Sequence, residues 1–128
     1  MAKHAITSPA SRPIGPYSPG IGVGDLVFLS GQIGLEAASG KLVDGGISTQ
    51  ARQCLENLKV LLAAAGLGFE HVLKTTIFLT DMGNFAAVNE VYRAYVREPY
   101  PARSTVAVAG LPLGAAVEIE LIASRSAQ

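Results

Sequence analysis

Between Ser48 and Gly66 the apolar residues Ala51, Leu55, Leu58, Leu62 and Ala65 recur at steps of four and three. That spacing lines them along one face of an α-helix, and a helix with one apolar face must lay it on something. The flanking segments supply the surface. LVFLSGQIG (Leu26 to Gly34) and VLKTTIFLT (Val72 to Thr80) are rich in β-branched and aromatic residues, the types that suit a pleated strand. Ser48 or Thr49 can cap the helix start, and Gly66 stands where a helix C-terminus takes a left-handed residue. Cys54 falls inside the helix and reads as an inert, buried thiol.

A second helical stripe follows: Phe85, Val88, Tyr92, Tyr95 and Val96. Asp81 or Asn84 can cap it, and Glu98-Pro99 ends it, because the residue before a proline resists helical geometry. This aromatic stripe reads as core. In the last third, ARSTVAVA and AVEIELIA flank GLPLG, whose glycines and proline mark a turn. The pair reads as a hairpin. Residues 8–22 are loop-like in their Ser, Pro and Gly content, the polar, Gly-rich stretch from Glu36 to Gly46 is a hairpin or loop, and GVGD at 22–25 is a turn before a strand. The expected order is β-β-α-β-α-β-β: an α+β sheet with two helices packed on one face, a single domain over residues 1–128.

Composition narrows the partners. Hydrophobic residues are 49% of the 128 and charged residues 16%. That balance suits a folded, well-buried chain and leaves room for surface covered by other subunits. Ten basic and ten acidic residues cancel, and no Lys/Arg run exceeds a dipeptide, so no phosphate-tracking surface and no nucleic-acid partner are expected. One cysteine excludes an internal disulfide and a cysteine-based metal cluster. No apolar run approaches the roughly 20 residues that cross a bilayer, and the N-terminal residues lack a secretory apolar core. The expectation is a cytoplasmic protein without membrane contact.

The common catalytic kits are absent: no GxSxG elbow, no P-loop, no GxGxxG. His4 and His71 have no Cys or second His at ligand spacing, so no metal is expected. The final two β segments are more informative. Val117, Ile119 and Leu121 alternate with Glu118 and Glu120, while Val106 and Val108 alternate with Arg103, Thr105 and Ala107. If both apolar sets face the helices, parity places Arg103, Thr105, Glu118 and Glu120 together on the opposite face. An arginine and a carboxylate on adjoining strands can frame a small site. The same pattern also describes a cross-strand ion pair on a solvated face.

Taken together, Pro101-Ala102-Arg103-Ser104 and Val117-Glu118-Ile119 resemble the C-terminal signature of the RidA (YjgF/UK114) family. The likeness spans nearly the whole chain: Ile14 to Gly20, Ser30 to Gly34, Gln50 to Lys59, Lys74 to Asp81 and Phe85 to Tyr92. It implies a chorismate-mutase-like fold assembled as a homotrimer, with clefts between neighbouring subunits and Phe28, Phe78 and Ile122 on the sheet face turned inward. It also implies a 2-iminobutanoate/2-iminopropanoate deaminase, which hydrolyses reactive enamines and imines from pyridoxal-phosphate enzymes to 2-keto acids and ammonia. This is metabolite damage control without a cofactor. By the same resemblance Arg103 matches the arginine that grips the substrate carboxylate, and Glu118 the glutamate that positions water. Tyr17, Ser30, Gly31, Asn89 and Thr105 match substrate-binding positions. Thr105 replaces the family's frequent cysteine, which leaves no role for a thiol. A non-catalytic binder or sensor of 2-keto or carboxylic acids is the alternative. Ribonuclease or translation-inhibitor activity is weaker, given the neutral charge.

Overall fold

The structure is a computed structural model that describes residues 1–9, 11 and 13–127. Six strands form one sheet: β1 (His4–Ile6), β2 (Gly20–Val23), β3 (Leu26–Ile33), β4 (Val72–Leu79), β5 (Ala102–Ala107) and β6 (Val117–Ser124). Their spatial order is β1-β2-β3-β6-β4-β5. Two helices, α1 (Ile47–Ala64) and α2 (Phe85–Arg93), cover one face. The mixed α+β architecture expected from the sequence is present, with β1 as an added strand, in which His4 pairs with Gly22, and with β2 formed where loop and turn were expected. Within the Ser/Pro/Gly-rich stretch, Ala10 and Arg12 lie outside the described residues.

The sheet splits by parity into two unlike faces. Val27, Leu29, Ile77, Leu79, Val117, Ile119, Leu121 and Ala123 point to the helices and are buried. They meet Leu55, Leu58, Leu61 and Leu62 of α1 and Val88, Val91 and Tyr92 of α2 in one cluster. Removing a leucine such as Leu58 down to alanine would cost about 2–5 kcal/mol. Cys54 is part of this core; burial pushes its thiol pKa up, and its Sγ lies 3.7 Å from the Val117 carbonyl oxygen. The opposite face carries Phe28, which is 40% exposed, with Val106 (42%), Phe78, Ile122, Glu118 and Glu120.

The helix ends differ from expectation. Gly46 caps α1 without a side-chain bond, and Thr49 instead donates its hydroxyl to the Gly45 carbonyl at 3.3 Å. Asp81 caps the short 3-10 turn ahead of α2 by accepting from the Gly83 N–H at 2.8 Å, while Asn84 makes no side-chain cap. Helix α2 stops at Arg93, before the Glu98-Pro99 stop read from the sequence. Gly66 does adopt the left-handed conformation, φ 77°.

The expected final hairpin does not form. Strand β4 lies between β5 and β6, pairing parallel with the first and antiparallel with the second. At its C-terminal end the Val108 N–H donates to the Leu79 carbonyl on one side, and the Thr80 N–H donates to the Ala116 carbonyl on the other. Residues 108–116 therefore carry the chain across the end of β4. The span is too long for a two-residue hairpin turn. The last strand in sequence order, β6, thus becomes an interior strand between β3 and β4.

Candidate active site

Register fixes where Arg103 points. It stands opposite Thr75 across the β4–β5 ladder, and Thr75 turns inward toward the helices. Arg103 and Thr105 therefore face the helix side, whereas Glu118 and Glu120, opposite Phe78 and Thr76, face the open side. The four residues expected on one face thus divide between two, because Val106, expected on the helices, pairs with Phe78 and faces the open side. Alternation on an edge strand marks two faces but does not say which one the helices cover.

Around Arg103 the helix α2 supplies the neighbours. The guanidinium Nη1 donates to Asn89 Oδ1 at 2.7 Å. Its Cζ lies 5.5 Å from the Phe85 ring centroid and 5.1 Å from that of Tyr92, both within cation–π range. Among the described residues no carboxylate lies within ion-pairing distance of it. Arg103 lines a cavity of about 250 Å³ with Asn89, Tyr92, Val96, Tyr100 and Pro101. The Thr105 hydroxyl oxygen, on the same strand face, is buried and lacks a hydrogen-bond partner among the described residues.

Glu118 belongs to a second cavity, about 510 Å³, with Tyr17, Ser30, Gly31, Glu120 and Pro112. A bulge in β3 builds its floor. Leu29 pairs with Leu121 and Gln32 with Ile119, so Ser30 and Gly31 together oppose Glu120 alone. Ser30 is fixed by its N–H to the Pro19 carbonyl (2.9 Å) and its hydroxyl to the Ser18 carbonyl (2.6 Å). Gly31 makes room: a Cβ there would stand 2.7 Å from Glu118 Cδ. Burial, then the nearby Glu120 charge, holds the Glu118 carboxyl above its ordinary pKa. Tyr17 is 48% exposed at the rim.

The seven residues singled out in the sequence thus fall into two groups. Tyr17, Ser30, Gly31 and Glu118 share one cavity, Asn89 and Arg103 share another, and Thr105 lies on the Arg103 side of the sheet. Two contributions escaped the sequence reading. Gln50, Gln53 and Asn57 form a polar edge on α1: Asn57 Nδ2 donates to the Ile33 and Leu35 carbonyls, Gln53 donates to Asn57, and Gln50 accepts from the Ala116 N–H. Their spacing beside the apolar stripe was the available signal. Phe85 and Tyr92, read as core, also touch Arg103. His71 Nδ1 accepts from the Gly68 N–H at 3.1 Å. Among the described residues no group of three or more His, Cys, Asp or Glu could hold a metal ion, and no helix is long and apolar enough to cross a membrane.

Comparison with known proteins gives this arrangement a lineage. A protein from Myxococcus xanthus, DfrA, is 52% identical over 126 residues, covering 96% of each chain. The 2-iminobutanoate/2-iminopropanoate deaminase of Mus musculus is 48% identical over 117 residues, 91% of this chain and 87% of that one. Among solved structures, E. coli TdcF with bound serine superposes with a TM-score of 0.90 at 42% identity, covering 96% of this chain and 99% of that one. Residues 7–125, a span that holds the β3 bulge, Arg103 and Glu118 alike, match the family described as Endoribonuclease L-PSP. With that match and those identities, the chain belongs to the endoribonuclease L-PSP family, the RidA/YjgF group.

Proposed function

We propose that this protein is a 2-imino acid deaminase acting on small imines such as 2-iminobutanoate and 2-iminopropanoate. The observation that carries the reading is the state of Arg103: a partly buried guanidinium held by Asn89, with no acid paired to it among the described residues. Such a group is ready to take a carboxylate through paired N–H donors. The deaminase name of the mouse relative, and the serine bound to E. coli TdcF, support a small carboxylate-bearing ligand.

In this reading Arg103 anchors the substrate carboxylate and so orients the imine carbon. Glu118 takes a proton from a water as its oxygen bonds to that carbon, then passes the proton to the nitrogen. The resulting carbinolamine expels ammonia as its hydroxyl proton moves to the nitrogen and its oxygen becomes the keto group. A carboxyl with a raised pKa suits this two-way proton traffic. Tyr17, Ser30, Gly31 and Asn89 shape the site, and Thr105 lines the approach to Arg103. No metal, cofactor or thiol takes part.

Because Arg103 and Glu118 face opposite sides of one sheet, a working site draws them from two copies. The open sheet face, with Phe28, Val106 and Phe78 beside two carboxylates, is the surface a second copy would cover. A homotrimer repeats that contact around a closed ring. The protein so assembled would work in the cytoplasm, removing reactive enamines released by pyridoxal-phosphate dehydratases, as a single domain without nucleic-acid or membrane partners. Zero net charge weighs against RNA work despite the ribonuclease in the family's description.

The test couples the protein to a threonine dehydratase and follows the imine with semicarbazide. Faster imine loss, abolished by Arg103→Ala, is expected. Imine loss no faster than with the dehydratase alone would sink the deaminase reading, and retained binding of 2-oxobutanoate would then favour the non-catalytic acid binder.

A further inference from the structure

We infer that Phe85 and Tyr92 are positioning residues for Arg103: an aromatic cradle that holds the guanidinium in place while leaving its donors free for the ligand. The inference rests on the reading of Arg103 as the carboxylate anchor, and it explains how an arginine is kept ready there.

An arginine beside a sheet edge has several torsions to lose, and proteins commonly restrain it with an acid. An acid here would compete with the substrate carboxylate. The structure uses rings instead. Tyr92 and Phe85, seven residues apart on α2, approach the Cζ at 5.1 and 5.5 Å. Aromatic faces attract the cation without consuming its N–H groups. A guanidinium carries five donors, and Asn89 takes a bond from Nη1 at 2.7 Å. The remaining edge is available for a paired, planar contact.

The cradle is itself tied to the strand that positions Arg103. Tyr92 OH and Thr75 Oγ1 lie 2.8 Å apart, and Thr75 is 2% exposed. Thr75 is also the residue opposite Arg103 in the β4–β5 ladder. Backbone pairing, the Thr75–Tyr92 hydrogen bond and the ring contact therefore close a loop: Thr75 to Arg103, Arg103 to Tyr92, Tyr92 to Thr75. Movement of the ring away from the guanidinium would have to break a buried hydrogen bond. Burial accordingly holds the Tyr92 hydroxyl in its neutral, hydrogen-bonding form.

The experiment compares Phe85→Leu, Tyr92→Leu and Tyr92→Phe with the native protein, by imine kinetics and by calorimetric binding of 2-oxobutanoate. Each leucine variant should weaken binding and raise KM about tenfold, with a smaller change in kcat. Tyr92→Phe, which keeps the ring, should recover most of the loss. The Arg103 Nε–Hε resonance, assigned by its absence in Arg103→Lys, should broaden in the leucine variants as the side chain gains freedom. Should Tyr92→Leu fail to fold, Phe85→Leu carries the test alone, since Phe85 is 38% exposed. Unchanged binding and an unchanged Nε–Hε signal in the leucine variants would overturn the cradle while leaving the anchor intact. If the native protein binds 2-oxobutanoate and the leucine variants weaken that binding, but no imine is turned over, the cradle stands and the deaminase reading falls. Absence of both binding and turnover in the native protein overturns both.

Discussion

Arg103 and Glu118 occupy opposite faces of the same sheet, on strands separated by β4. A site that needs both must take each from a different copy of the chain. Arg103→Ala and Glu118→Gln, each inactive alone, should therefore complement when unfolded together and reassembled. With random mixing in a closed ring, about a quarter of the sites combine one intact arginine with one intact glutamate. Steady-state imine hydrolysis should recover to about that fraction; a mixture as inactive as its components means the two groups come from one chain.

The Glu118 carboxyl is held above its ordinary pKa by burial first and by Glu120 second. In the unfolded chain that pKa returns to the ordinary range, so the folded state disfavours the charged form. Glu118 then contributes stability that is complete below the ordinary carboxylate pKa and lost as pH rises through the raised value. Glu118→Gln should melt higher than the native protein at pH 7, with the difference vanishing in acid. Activity runs the other way, because the proton acceptor must be ionised. The acid limb of kcat/KM should lie above the ordinary glutamate range and move down in Glu120→Gln, which removes a like charge.

Gly31→Ala offers a way to move Glu118 without altering its chemistry. The added methyl would stand 2.7 Å from Cδ and 2.9 Å from Oε1, and the end of a flexible side chain yields more readily than backbone. The melting temperature should change little. Misplacing a reacting group by about 1 Å costs on the order of 100-fold, so kcat/KM should fall by roughly that factor. A large stability loss with near-native activity per folded molecule would contradict this use of the glycine.

Thr105 carries a buried hydroxyl oxygen with no partner among the described residues. An unsatisfied buried hydroxyl costs about 1–3 kcal/mol, and valine has nearly the same shape. Thr105→Val should raise stability by about 1 kcal/mol in urea unfolding. If the hydroxyl instead finds its partner in bound ligand, the same variant weakens 2-oxobutanoate binding, and calorimetry separates the two effects.

The helices and four of the six strands, β3 to β6, were legible because period and residue type are local properties; β1 and β2, short and set in a Ser/Pro/Gly-rich stretch, were not. Leu55, Leu58 and Leu62 announce a buried helix face, and Gly66 its end. The pairing of β5 was not legible. A glycine- and proline-rich turn between two alternating segments reads as a hairpin, yet it serves equally to step over β4. The face assigned to Arg103 was reversed for a separate reason: Val106 was seated on the helices by its apolarity, whereas its pairing with Phe78 turns it to the open face and Arg103 to the helices. The polar edge of α1, Gln50, Gln53 and Asn57, was hidden for a related reason: its partners are backbone groups that only the folded chain brings near. Membership of the family, by contrast, was carried by short segments along the chain and needed no pairing at all.

Placing β6 between β3 and β4 has a consequence for how the chain comes into being. During synthesis residues 117–124 emerge after every other strand, so until then β1-β2-β3 and β4-β5 are two half-sheets without their shared seam. Each half-sheet offers an open edge, β3 on one and β4 on the other, of the kind that recruits foreign strands. The nascent protein is thus most prone to aggregate while residues 117–124 have yet to join the sheet, and closure of the seam is the event that ends the hazard.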